Sequence, residues 1–343
     1  MTLLQKFTIV LGIMTVVTAS GCVRKVPVPS DLKAQPSLPI EKYIERVNSY
    51  EKIASFTAQT DIYVFDHLTG EDGTANRFPG ANGAIVFARP DKIRIKVTAP
   101  IVNSDVADMT SDAEQFRLAV YWPKEDRMYI HGANLNELRR MNAEELKDAK
   151  DPRLKQAGAL ANIRPQHITD AFIIKPIPLD GRVEYFKEED KEVEPNPKPT
   201  RKSKMISRTY DVLYVLQREE NGKLHVLRKF WFDRTREGVP LVRQQTFENG
   251  DGRLGSDVVY EDFFGVPNTN LAMARSIKIS RPNDGYDIWL VLNQDSVEVN
   301  PELPGTAFIL ENREHMKDLD LDRPGKDSIP AELIRERAHS NHQ

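Results

Sequence analysis

The residues Lys92-Ile93-Arg94-Ile95-Lys96-Val97 put every apolar side chain on one side of an extended chain and every cation on the other. Successive side chains of a β-strand point to opposite faces, so this period of two describes a strand dry on one face and wet on the other. Phe56, Ala58, Thr60, Ile62 and Val64 alternate in the same way with Thr57, Gln59, Asp61 and Tyr63. Further strand-like runs fall at 84–88, 106–109, 116–121, 127–130, 210–217, 225–232, 242–247, 258–263, 276–280 and 286–292. Asn221-Gly222, Asn249-Gly250-Asp251-Gly252 and Asn283-Asp284-Gly285 punctuate them as tight turns. Strands joined this closely form antiparallel meanders, and the strand-helix-strand alternation of a parallel sheet is missing. The chain is therefore expected to be mainly β with a few helices. The runs 210–216 and 286–292 are apolar on both faces, which predicts cover on both sides and a central place in the sheet.

Three stretches change the period. Ile40, Tyr43, Ile44, Val47 and Ile53 recur near helical spacing over 40–53. Asn134 with Glu137 reads as an N-cap and its capping-box partner, and Leu135, Leu138 and Met141 supply the apolar stripe behind it. Pro165 sits at a first-turn position before Ile168, Ala171 and Phe172, which predicts a second short helix. The charged, proline-bearing segment 187–204 has little apolar surface to offset the entropy of ordering, so it is expected to be a mobile loop. Past Leu310 the sequence is mostly polar and reads as a tail.

The first 21 residues are a separate object. Lys6 gives a positive start, Phe7 to Val17 is an apolar run, and Thr18, Ala19, Ser20 and Gly21 form a small-residue cleavage zone. The apolar run is shorter than the roughly 20 residues a membrane span needs. Ala19-Ser20-Gly21-Cys22 resembles the lipobox of bacterial lipoproteins, in which the cysteine becomes the mature N-terminus and carries lipid. Cys22 is the only cysteine in the chain, so no intramolecular disulfide competes for it. Each buried methylene contributes about 0.8 kcal/mol, and two or three acyl chains on Cys22 would hold the protein firmly to membrane lipid. By the same resemblance Val23, which is not aspartate, permits delivery to the outer membrane. Residues 22–39 contain Pro27, Pro29, Pro36 and Pro39 and read as an extended tether. The expected organisation is a signal peptide over 1–21, a lipidated tether over 22–39, a domain over 40–310 and a polar tail over 311–343.

Composition removes several function classes. The formal net charge of −3 provides no basic field for nucleic acid. The seven histidines, at 67, 131, 167, 225, 315, 339 and 342, show no metal-ligand spacing, and no second cysteine is present to join a zinc site. Neither a G-x-S-x-G elbow, nor a Walker loop, nor a G-x-G-x-x-G turn occurs. The expectation is a protein that is not an enzyme and needs no cofactor.

Several segments together resemble the LolA/LolB superfamily of lipoprotein carriers and receptors. Ser55-Phe56-Thr57-Ala58-Gln59 follows the first helix as that family's opening strand does. Phe87 to Ile95, with Arg89-Pro90-Asp91-Lys92 at its turn, is similar to a repeated family hairpin. Met109-Thr110-Ser111-Asp112 running into Phe116-Arg117-Leu118, Phe232-Asp233-Arg234 with Val239 to Phe247, and Val297 to Pro304 resemble later elements. The resemblance implies an antiparallel half-open β-barrel around an apolar concave face, with a helical lid. Cys22 matches the membrane-anchored LolB-like type rather than the soluble carrier.

Physical chemistry points the same way. Few helical residues are available to cover the dry face of so many strands, so an apolar cleft able to take acyl chains is expected. Its candidate lining is Ile62, Val64, Ile93, Ile95, Val97, Phe230, Phe232, Ile277, Ile279, Ile288 and Leu290, and its candidate lid is Leu135, Leu138, Met141, Ile168 and Phe172. The function implied is binding of acyl chains during lipoprotein or lipid transfer to the outer membrane, from a periplasmic carrier protein, on the periplasm-facing side of the cell envelope. The alternative is a structural or interaction lipoprotein with no lipid ligand, its sheet filled by its own side chains.

Overall fold

The computed structural model describes residues 29–320 apart from 71–73, 101–103, 113, 123, 125–126, 135–143, 145–161, 202, 220, 249–251 and 267–270. Cys22 and the predicted lid residues Leu135, Leu138 and Met141 lie outside the described residues. After a short strand β1 (Ser30–Asp31) comes helix α1 (Ile40–Ser49), then β2 (Ser55–Asp66), β3 (Asn76–Arg77), β4 (Ala81–Ala88), β5 (Lys92–Thr98), β6 (Asp105–Ser111), β7 (Gln115–Val120) and β8 (Met128–Ala133). Helix α2 (Pro165–Phe172) leads to β9 (Glu184–Pro195), β10 (Met205–Arg218), β11 (Leu224–Asp233), β12 (Leu241–Phe247), β13 (Leu254–Gly265), β14 (Ala272–Arg281) and β15 (Tyr286–Leu292). The short strands β16 (Glu298–Val299) and β17 (Lys317–Asp320) follow.

The sheet has two antiparallel meanders, β9 through β15 and β2 through β8 without β3. Pairing of β15 with β2 joins them, from Leu292 opposite Thr60 to Tyr286 opposite Asp66. Among the described residues β9 does not pair with β8 or β17, so the sheet curls without closing. This is the mainly β architecture that the alternation and turns predict, and the open sheet agrees with what the resemblance implies.

The turns follow from their chemistry. Gly285 has φ near +75°, and a Cβ there would stand 2.3 Å from Leu68, so that turn requires glycine for both conformation and space. Helix α1 forms where Tyr43, Ile44 and Val47 share one face, and that face is buried against the sheet. A single 3-10 turn, Tyr50–Lys52, ends it. Helix α2 starts with Pro165, whose missing N–H costs nothing in the first turn, and buries Ile168 and Phe172.

Three expectations need correction. Residues 187–204 are not a mobile loop: through Pro195 they form most of β9, which pairs with β10 over twelve positions from Met205 opposite Pro195 to Leu216 opposite Glu184. Backbone N–H and C=O groups form the ladder whatever the side chains, and cross-strand pairs add to it, including Arg208 with Glu194 and Phe186 stacked on Tyr214. The segment after Leu310 is not wholly a tail, because β17 pairs in parallel with β8, with Lys317 opposite Met128. Tyr129 Oη also donates to the Leu310 carbonyl at 2.7 Å. Finally, β10 is covered on both faces as predicted, but β15 is not. Asp287, Trp289 and Val291 on its outer face are only half-buried, since Asp287 and the amphipathic Trp289 tolerate water there.

Candidate functional site

All eleven predicted lining residues fall on the inner face of the curved sheet. Ile93, Ile95, Phe230, Phe232, Ile277, Ile279, Ile288 and Leu290 belong to the main core, and Ile62, Val64 and Val97 pack against its margin half-buried. The alternation therefore identified the right face. It did not identify what occupies it. The concavity is filled by α1 and by the segment 162–177, from which Ile168, Phe172, Ile173, Ile174 and Ile177 point into the core. Phe172 packs against both Phe56 and Phe87, with ring centroids 6.0 and 6.2 Å apart.

Segment 162–177 is held there through its backbone. Arg228 reaches from the inner face of β11 to donate to the carbonyls of Lys175 at 2.6 Å and Pro176 at 2.9 Å. Gln244 Nε2 donates to the Asp170 carbonyl at 3.0 Å, and Tyr260 Oη to the Ala171 carbonyl at 2.8 Å. Arg89, at the turn after β4, donates to the carbonyls of Tyr50, Ile53 and Ile174, tying α1 and the segment together. Asn48 on α1 both donates to the Ile177 carbonyl and accepts from its N–H. Asn162 donates to the Asp284 carbonyl, and His167 contacts Tyr286 Oη. These side chains satisfy carbonyls that a segment with only two turns of helix leaves unpaired inside a core.

Burial shapes the charges. It pushes the Arg228 guanidinium down to about 10 and lowers Arg89 as well. Burial raises the Asp170 carboxyl above its ordinary range, and Lys175, 3.1 Å away, pulls it back. Burial pushes the Tyr260 hydroxyl well up, so it stays a donor to Ala171 throughout the physiological range.

The space left is small. A cavity of about 30 Å³ lies between α2 and the sheet, bordered by Tyr50, Phe87, Arg89, Phe172, Tyr260 and Ile277. A pocket for an organic ligand is typically about 300–1,000 Å³. This cavity is about a tenth of that size or less. A second hollow, of about 530 Å³, is lined by Gln59, Asp61, Asn82, Arg275, Asn293 and Asp295 among others, and its polar wall does not suit hydrocarbon. Among the described residues no group of His, Cys, Asp and Glu is arranged to hold a metal, and no helix is long and apolar enough to cross a membrane.

No family model matches the chain, and no curated protein matches it in sequence. Solved structures do. A DUF1329 family protein from Desulfovibrio piger ATCC 29098 matches at 9% identity and a TM-score of 0.42, covering 80% of this chain and 98% of its own. A domain from Vibrio parahaemolyticus, provisionally described as an outer membrane lipoprotein-sorting protein domain, also matches at 9% identity and 0.42, covering 79% and 97%. An uncharacterized conserved protein from Thermus thermophilus matches at 6% identity and 0.26, covering 82% and 98%.

Of the predicted lid residues, Ile168 and Phe172 lie on α2 and are buried in the core. The latch residues Arg228, Gln244, Arg89 and Asn48 were not foreseen. Arg228 did leave a trace: it shares the phase of Phe230 and Phe232, so the alternation puts a cation on a dry face, where it needs acceptors. Asn48 and Gln244 left none, because their partners are backbone atoms 129 and 74 residues away.

Proposed function

We propose that the protein is an envelope lipoprotein, anchored through lipid on Cys22, whose β-shell receives acyl chains when segment 162–177 is displaced. The observation that carries this reading is the plug: five apolar side chains of one segment occupy the inner face while polar side chains of the sheet grip the backbone of the same segment. Acyl chains replacing Ile168, Phe172, Ile173, Ile174 and Ile177 would bury equivalent hydrocarbon and form no hydrogen bonds, so the sheet's apolar face loses nothing in the exchange. The cost of opening lies in the latch. The role is binding and transfer rather than catalysis, facing the periplasm at the outer membrane, with a periplasmic carrier as donor of lipid or lipoprotein.

The test loosens the latch. Replacing Arg228 and Gln244 by alanine removes three hydrogen bonds to carbonyls and raises the fraction of open molecules. A dansyl-labelled fatty acid should then bind about tenfold or more tighter than to the parent chain. A loosened variant that keeps native tryptophan emission yet neither binds the probe nor co-purifies with lipid would overturn the reading. That outcome would favour the second reading, an interaction lipoprotein whose shell is permanently filled, for which the 30 Å³ cavity speaks.

A further inference from the structure

The hairpin formed by β9 and β10 runs past its neighbours. β11 pairs with β10 only from Tyr210 onward, and β1 pairs with it at Ile206 and Ser207, so the turn at 196–204 overhangs the sheet. From Tyr210 back to Met205, where β10 begins, is five residues, about 17 Å of strand. The overhang is ordered by its own bonds. Asn196 N donates to the Lys204 carbonyl at 2.9 Å, Asn196 Nδ2 to the Ser203 carbonyl at 3.0 Å, and Thr200 and Ser203 exchange backbone bonds.

Charge divides sharply along this hairpin. Glu184 to Pro195 holds six carboxylates and two lysines, whereas Asn196 to Lys204 holds Lys198, Arg201, Lys202 and Lys204 and no carboxylate. Lys198, Arg201 and Lys204 are all exposed, and among the described residues none of the three forms an ion pair. The nearest carboxylates behind them are engaged: Glu194 with Arg208, and Asp31 with Lys191.

The tether arrives at the same end. β1 is parallel to β10, with Ser30 opposite Ile206, so Ser30 sits beside the end of β10 that leads into the hairpin tip. Seven residues separate Ser30 from Cys22, a reach of at most about 29 Å. β10 begins at Met205, one residue before Ile206, so the turn at 196–204 adjoins the end of β10 that β1 pairs with. A bilayer holding Cys22 therefore lies within about 29 Å of Ser30, beside the start of β10.

We propose that the 196–204 hairpin tip is a membrane-contacting element whose Lys198, Arg201 and Lys204 bind the phosphates of anionic lipid headgroups in the leaflet that carries the Cys22 anchor. This rests on the lipid-anchor reading above. The tip orients the shell on the membrane, with one covalent and one electrostatic point of attachment, while the acidic strand behind it is repelled from the same surface.

The lipidated full chain allows a direct test, because with Cys22 acylated a Pro199→Cys variant presents one free thiol at the tip. That thiol carries an environment-sensitive dye, and the protein is reconstituted in phosphatidylcholine vesicles with or without phosphatidylglycerol, each doped with a headgroup-linked nitroxide. Quenching is expected to be several-fold stronger with phosphatidylglycerol, to fall in high salt, and to vanish when K198E, R201E and K204E are added. Equal quenching on both vesicles, or no effect of the charge reversals, overturns the proposal while the anchor stands. Fatty-acid labelling of Cys22 is measured on the same preparation. If it is missing, the anchor reading fails and this inference falls with it, a result distinct from an acylated chain whose tip ignores lipid charge.

Discussion

β9 and β10 are paired residue for residue, yet they are built on opposite principles. In β10, Val212 faces outward and Leu213 and Val215 inward, and all three are at most 1% exposed. In β9, Tyr185, Phe186 and Val193 are large apolar residues left in water, and most of the rest are charged. β10 is held by burial on two faces, and β9 by its ladder to β10 and by a few contacts across it. A strand thus needs a hydrophobic face to drive folding, but not to exist once a partner edge is present. As an edge strand, β9 carries the dense charge that blunts unwanted pairing with other chains.

Three substitutions test how far this difference goes. The largest effect is expected at Asp211, buried on β10 between Arg234, Lys187 and Tyr43, where it also accepts from Ser37. Asp211→Ala takes a buried carboxylate from Arg234 and Lys187 and removes the bonds from Tyr43 and Ser37, and chemical denaturation should show a loss of about 3–5 kcal/mol. Next, Leu213→Ala should cost about 2–5 kcal/mol, since the site cannot collapse around the missing side chain. Val193→Ala, on the neighbouring strand, should stay within about 1 kcal/mol. Equal losses at the two sites would show that β9 is buried in solution by something further.

A pH dependence is also expected on the β10 side. Burial, then its bond to Asp211, raise the Tyr43 hydroxyl to about 12 from an ordinary 10.0. A folded-state pKa above the unfolded value gives stability that is complete below pH 10 and is lost as pH rises through about 12. The melting temperature should therefore fall over that window, and Tyr43→Phe should flatten the fall while lowering stability at neutral pH.

Much of this was legible locally. The period of two in Lys92 to Val97 and in Phe56 to Val64 fixed both strand and inward face, because side-chain direction depends only on the residue's own backbone. Spacing placed α1 and α2, and Pro165 marked where the second begins. Residues 187–195 carry the composition of a loop because composition reports burial, and β9 gains little burial from folding. Its order comes from β10, and no property of residues 184–195 alone encodes that neighbour.

The sequence by itself determined which residues face inward, where the chain turns, and that the only cysteine follows a short apolar run. The tertiary structure decided what fills the inward face. Whether an apolar surface becomes an open cleft or a packed core depends on which distant segment reaches it, and Arg228, Gln244 and Asn48 hold that segment through carbonyl groups identical at every position of the chain. Backbone acceptors carry no residue signature, so their pairing is set by the fold alone.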